Sequence, residues 1–157
     1  VWLNVSQTTR RFLGDSYWRG DLMIRGVDDT SKVQHVGAEI YLPCDVRDAH
    51  GRLIDLNPLQ TLLARIKEAF HPEQVWLFGS RARGDAQPGS DWDLLVVVPD
   101  NTREDDLDPA VCWRIQKGSG VYADILPYRA SEFRDGLGTV NSVLYDVQRE
   151  GVLIYAR

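Results

Sequence analysis

"FGSRARGDAQPGSDWDLLVVV", Phe78 to Val98, decides how this chain is read. Two carboxylates, Asp91 and Asp93, stand one residue apart at the mouth of an unbroken apolar run. A Gly-Ser pair, Gly79-Ser80, precedes them with ten residues between. In a strand, alternate side chains share a face, so Asp91 and Asp93 point one way and Trp92 the other. Two such carboxylates repel, which raises the pKa of one unless a cation lies between them. Mg²⁺ suits the position, being a hard ion held by one or two carboxylates together with substrate phosphates. A pair of this kind can bridge two ions, one activating an attacking oxygen and one neutralising a leaving group.

A phosphate also needs donors. Gly79-Ser80, between a strand and an expected helix start, offers backbone N–H groups and a hydroxyl where glycine permits close approach. Arg81 and Arg83 can add charge there, although Arg83 can instead pair with Asp85 and brace the loop. Ser90, directly before Asp91, weighs more as a turn residue than as a ligand and stands last among the nucleotide-binding candidates. A third carboxylate is often needed to complete a metal site and deprotonate a nucleophile. Asp124 in "VYADILPY" is the candidate, on one strand face with Tyr122 and Leu126. A lone Asp in an edge strand facing water is the bland alternative.

Outward from this centre the pattern alternates. Asn57 is placed to cap a helix, Pro58 fits its first turn, and Leu59, Leu62, Leu63, Ile66 and Phe70 recur at helical spacing until His71-Pro72. Val75–Phe78 is expected as a strand, a helical turn follows from Ser80, and Gln87-Pro88-Gly89 turns. Leu94–Val98 has the pattern of a strand buried on both faces. "DNTREDDLD" is expected as a solvated acidic loop and Pro109–Lys117 as a helix. Val121–Leu126 is expected as a strand closed by Pro127. A helix through Val140, Val143, Leu144 and Val147 and a strand Val152–Tyr155 complete the order αβαβαβαβ. This is an α/β (α+β) arrangement with a small mixed sheet packed against helices. The expected division is an N-terminal extension over 1–56 and a second domain over 57–157. Within the extension, "DLMIRG" and "KVQHVGAEIYL" are expected as strands of a hairpin joined through Asp28-Asp29. The chain opens on Val1 and its one Met is Met23. A valine-translated start, a missing upstream segment and a non-native extension all fit that.

The chain of 157 residues is 43% hydrophobic and 26% charged, the composition of a soluble globular protein. No apolar run reaches a membrane span, and the first residues lack the order of a signal peptide. A cytoplasmic setting is expected, with Cys44 and Cys112 as free thiols. His35, His50 and His71 complete no zinc set. A net charge of −5 argues against a broad nucleic-acid surface, although Arg10-Arg11 and Arg81 with Arg83 remain as local basic clusters. Trp76, Trp92, Trp113 and Tyr122 are expected in packing roles before base stacking, and Cys112 as a small buried hydrophobe.

Gly79-Ser80, ten residues, Asp91-Trp92-Asp93 and the apolar strand together resemble the signature of the polymerase-β nucleotidyltransferase superfamily. "GSRARGDAQPGSDWDLLV" and the ending "EGVLIY" are similar to its minimal nucleotidyltransferase branch. The resemblance covers roughly 57–157. It implies the polymerase β-like nucleotidyltransferase fold, Mg²⁺ (two ions) on Asp91, Asp93 and Asp124, and triphosphate contact at Gly79 and Ser80. Gln87 departs from the branch, which often carries a basic residue there. In that branch a nucleoside monophosphate, AMP from ATP in the leading reading, passes to a hydroxyl. The acceptor is typically carried by a small helical HEPN-type toxin, which the nucleotidyltransferase neutralises as an antitoxin. Two alternatives stand beside it: transfer to a small molecule of aminoglycoside type, with residues 104–108 supplying an acidic pocket, and a non-catalytic antitoxin that acts by contact. A homo-oligomer is compatible with either.

Overall fold

The computed structural model describes residues 46–157 and, upstream, the backbone of four short strands. Those strands are β1 (Tyr17–Arg19), β2 (Leu22–Ile24), β3 (Gln34–Val36) and β4 (Glu39–Tyr41). β1 pairs antiparallel with β2, and β3 with β4. "DLMIRG" and "KVQHVGAEIYL" therefore each contain strand, but they do not pair with each other as expected. The Asp28-Asp29 connection, Arg10-Arg11, Cys44 and the side chains of Met23 and His35 lie outside the described residues.

From Asn57 the chain forms a 3-10 turn, Asn57–Leu59, that runs into α1 (Gln60–Phe70). Asn57 does not cap it. Leu56, with no side-chain acceptor, occupies the cap position, and the Asn57 amide oxygen accepts from Gln60 Nε2 at 3.0 Å. His71 ends α1 in the left-handed region at φ 45°, ahead of Pro72. There follow β5 (Gln74–Phe78), α2 (Gly79–Arg83), β6 (Trp92–Val98), α3 (Pro109–Gln116), β7 (Ala123–Arg129), α4 (Ala130–Gly136), α5 (Val143–Glu150) and β8 (Val152–Ala156). α4 is additional to the expected order, and Val140 lies before α5, exposed. Pro127 does not close β7. The strand runs on to Arg129 because β7 is an edge among the described strands, where a proline can sit without removing a ladder bond.

The sheet is mixed. Its central order is β8-β5-β6-β7, with β4 then β3 beyond β8. β5 lies antiparallel to both β6 and β8, and β7 runs parallel to β6. The unbroken apolar run of β6 is buried on both faces. On one face Leu94, Val96 and Val98 meet Leu62, Ile66 and Phe70 of α1 and Cys112 and Ile115 of α3. On the other, Leu95 and Val97 join Trp76, Phe133 of α4, and Leu144 and Val147 of α5. Each large aliphatic side chain closed off in this way contributes about 1.5–3 kcal/mol. Trp76 and Trp92 are buried, as expected, and Cys112 is a free buried thiol. Trp113 and Tyr122 are not packed, at 58% and 81% exposed. Cys112 and Ile115 form the inward stripe of α3, which leaves Trp113 on its flank. Tyr122 precedes β7 at the open edge of the sheet. No helix among the described residues is long and apolar enough to cross a membrane.

Candidate active site

The register fixes the site. Phe78, last residue of β5, lies opposite Asp93 on β6, and Asp93 lies opposite Asp124 on β7. The Trp92 N–H donates to the Tyr122 carbonyl at 3.0 Å, which holds the starts of β6 and β7 together. Asp91, Asp93 and Asp124 each bring one carboxylate oxygen within 4.8 Å of the others. Asp91 and Asp124 are exposed and Asp93 is half-buried. Three hard oxygens so close, open on one side to water, match the donor set a Mg²⁺ ion takes alongside substrate oxygens.

The Asp93 carboxyl is pushed above its ordinary pKa, first by burial and then by the charges of Asp91 and Asp124. Arg83 and Arg81 pull the other way. Part of the burial comes from Gly79. Its φ of 68° is one that side-chain-bearing residues rarely adopt, and any Cβ there would fall inside the Asp93 carboxylate. The glycine of the Gly-Ser pair thus lets the end of β5 close onto the acid of β6. Half-buried Ser80 follows it in the first turn of α2, and its carbonyl accepts from the N–H groups of Gly84 and Asp85.

The arginines have partners inside the chain. The Arg81 guanidinium donates from Nε to the Asp91 carbonyl at 3.0 Å and from Nη2 to the Ser90 carbonyl, and stacks over the Trp92 ring at 4.0 Å. In this arrangement it braces the loop that presents Asp91. Arg83 takes the structural alternative, pairing with Asp85 at 3.2 Å and with Glu150 of α5 at 2.7 Å. The Ser90 hydroxyl accepts the Gln87 N–H at 2.9 Å, closing the Gln87–Ser90 turn. Gln87, where a basic residue was wanting, contributes backbone to that turn.

The acids of the 100–108 loop lie elsewhere. Glu104 pairs with Arg129, at the far end of β7, and Asp108 caps α3 by accepting the Ala110 N–H at 2.7 Å. A strand rises about 3.3 Å per residue, so the length of β6 puts these acids on the order of 20 Å from the carboxylate trio. They do not form one pocket with it.

One feature lay outside the sequence reading. Asp48 accepts the N–H groups of His50 and Arg52 at 2.8 and 2.9 Å and the Arg52 Nε at 2.8 Å. Arg52 Nη2 in turn donates to the Gly84 carbonyl, and the Ala49 N–H to the Ala82 carbonyl at 2.9 Å. Burial works against the Asp48 charge, but these donors outweigh it and hold its carboxyl below the usual range. Residues 46–54 thereby clasp the back of α2. The spacing of that stretch does not signal it, since the groups it grips on α2, the Ala82 and Gly84 carbonyls, are backbone.

A mixed sheet whose strand ends bring three carboxylates together beside a strand–Gly-Ser–helix turn defines a phosphate-handling α/β protein. The chain belongs to the nucleotidyltransferase domain family, whose model matches residues 59–152, more than half its length. A crystal structure from Sulfolobus solfataricus, described as a candidate nucleotidyltransferase, is 25% identical with a TM-score of 0.46, over 65% of this chain and 80% of that one. Curated proteins give no match.

Proposed function

We propose that the protein transfers a nucleoside monophosphate, AMP from ATP, to a hydroxyl on a partner protein, a helical HEPN-type toxin that it neutralises as an antitoxin. The observation that carries the transfer chemistry is the approach of Asp91, Asp93 and Asp124 to within 4.8 Å beside Gly79-Ser80. In this reading Asp91, Asp93 and Asp124 hold Mg²⁺. The ion, when bound, supplies charge neutralisation to the phosphates and to the departing pyrophosphate. Gly79 and Ser80 present N–H groups and a hydroxyl to the triphosphate, and Asp124 receives the acceptor's proton. Arg81 and Ser90 fix the loop under Asp91, and Arg83 ties α2 to α5 at the same end of the sheet. Positioning and charge complementarity supply most of the rate. A cytoplasmic setting accords with the free buried Cys112 thiol, whose pKa burial pushes up.

The placement of the acidic loop counts against an aminoglycoside acceptor, since the acids that would hold a polycation lie at the wrong end of β6. A purely contact-based antitoxin leaves the convergent carboxylates without a use. With α-labelled ATP, Mg²⁺ and the partner protein, label is expected on the partner. Asp91→Ala and Asp93→Ala should lower transfer by about a thousandfold or more, with the fold retained. Full turnover in either variant would refute the site.

A further inference from the structure

We infer that the open groove between α3 and the start of β7 is the acceptor site, and that it takes an extended protein segment whose hydroxyl residue is flanked by apolar side chains and a carboxylate. This rests on the nucleotidyl-transfer reading and deepens it. The groove, about 500 Å³, is lined by Trp113, Lys117, Gly118, Gly120 and Tyr122 among others. It is held in shape from behind: Arg65 of α1 donates to the carbonyls of Ile115 and Lys117 at 3.1 and 2.7 Å, fixing the C-terminal end of α3. Gly118 and Gly120 leave open space where a Cβ would project. Two large rings remain in water at its rim, Trp113 at 58% and Tyr122 at 81% exposure. Lys117 Nζ sits 4.8 Å above the Trp113 ring, placing an ammonium at the same rim.

The position of the groove follows from in-line displacement. The sheet order sets Gly79-Ser80 after the end of β5, Asp91 just before β6 and Asp93 on it, and Asp124 on β7, three neighbouring strands about 4.8 Å apart. A triphosphate whose leaving end lies over Gly79-Ser80 must be attacked from the opposite side. That side is β7, where Tyr122 is two residues from Asp124. The acceptor oxygen bonds to the α-phosphorus, and the bond from that phosphorus to its bridging oxygen breaks. Pyrophosphate leaves and the hydroxyl proton passes to Asp124. Tyr122 shares the strand face of Asp124 by alternation, so a carrier that presents the hydroxyl there passes this rim and reaches round the start of β7 into the groove.

The lining chooses the carrier. No carboxylate lines the groove, so a polyamine drug finds no counter-charge there. Polynucleotide strands draw on many cations, whereas the chain carries −5 and the groove one ammonium. Exposed aromatic rings with one ammonium fit apolar side chains and a carboxylate. β7 also pairs on one side only among the described residues, which leaves an edge along which an extended segment can lie.

The test incubates the full chain with Mg²⁺, each common α-labelled ribonucleoside triphosphate, and three acceptor sets. These are a bead-displayed peptide library with one Ser, Thr or Tyr per peptide, a short RNA with a free 3′ hydroxyl, and kanamycin. Labelled peptides should be enriched in apolar and acidic flanks. Trp113→Ala and Tyr122→Ala should raise the KM for a selected peptide about tenfold, with the nucleotide KM moved by less than about twofold. Trp113→Phe and Tyr122→Phe should restore it. Both positions are exposed, so unchanged melting checks the fold. Preferential labelling of RNA or kanamycin, basic flanks, or a rise in nucleotide KM instead of peptide KM would overturn the inference. So would labelling of no acceptor while Asp93-dependent release of nucleoside monophosphate into water persists, an outcome that leaves nucleotidyl transfer standing. Loss of that release as well removes both.

Discussion

Asp93 sits under electrostatic tension from its own neighbours. Its carboxyl is half-buried between Asp91, Asp124 and Gly79, and its pKa lies above the ordinary 3.8. The folded state therefore holds this proton more tightly than the unfolded chain does. By linkage, its contribution to stability falls as pH rises from the ordinary Asp value through the raised one, then stays level. Asp93→Asn should raise the melting temperature of the metal-free protein at neutral pH by about 1–3 °C, a small gain because the group is partly solvated. The gain should vanish in acid. Adding Mg²⁺ should stabilise the wild type and not the variant, since only the native trio gains a ligand. Calorimetry across pH, with and without Mg²⁺, checks this; a variant that melts lower throughout would show that the acid is not under strain. Gly79→Ala acts on the same contact from the other side. A left-handed alanine costs on the order of 1–2 kcal/mol, and its methyl would displace the Asp93 carboxylate. Both stability and Mg²⁺ affinity should fall, read by melting and by metal titration.

At the scale of elements, the site is a set of strand ends tied by local braces. Arg81 is the brace whose loss is most informative. Its planar fork spans the Ser90 and Asp91 carbonyls while its face lies on Trp92, a combination that a lysine ammonium cannot reproduce. Arg81→Lys is expected to weaken Mg²⁺ binding about tenfold in the absence of nucleotide, the usual consequence of loosening a metal ligand's support. Titration with Mn²⁺ as a paramagnetic stand-in measures it. An effect confined to the triphosphate KM would return Arg81 to phosphate contact. The elements were legible where one force dominates the pattern. Leu94–Val98 announces a strand buried on both faces, and the 3.6-residue recurrence of Leu62, Ile66 and Phe70 announces α1. α4 was not legible, because "ASEFRDG" offers Phe133 as its single large apolar residue and therefore no stripe. Pro127 misled for the opposite reason: a strong local breaker is harmless on an edge, and edge position is a property of the sheet. The carboxylate trio stood out at Asp91 and Asp93 through spacing alone. Asp124 reaches them only through the parallel register of β7 on β6.

For the whole molecule, the consequential contact is one that no sequence period reveals. Val46 lies in the core cluster with Leu59, Leu62 and Leu77, and the Asp48–Arg52 clasp behind it grips Ala82 and Gly84. α2 is five residues long and buries one side chain, Ala82, in the core. Its N-terminal turn carries Gly79 and Ser80, while its C-terminal turn is fastened by the clasp and by the Arg83–Glu150 pair. Movement at one end of so short an element is transmitted to the other. We propose that the catalytic domain includes residues 46–56, upstream of the Asn57 that periodicity suggests. A chain starting at Asn57 loses a buried valine, several backbone hydrogen bonds and the fastening of α2. It should melt about 5 °C or more below a chain starting at Val46, and its KM for ATP should rise as the Gly79-Ser80 turn loosens. Equal melting and equal KM in the two chains would show that residues 46–56 are passengers. A lower melting temperature with an unchanged KM would confine the clasp to a structural role, separate from the triphosphate end of α2.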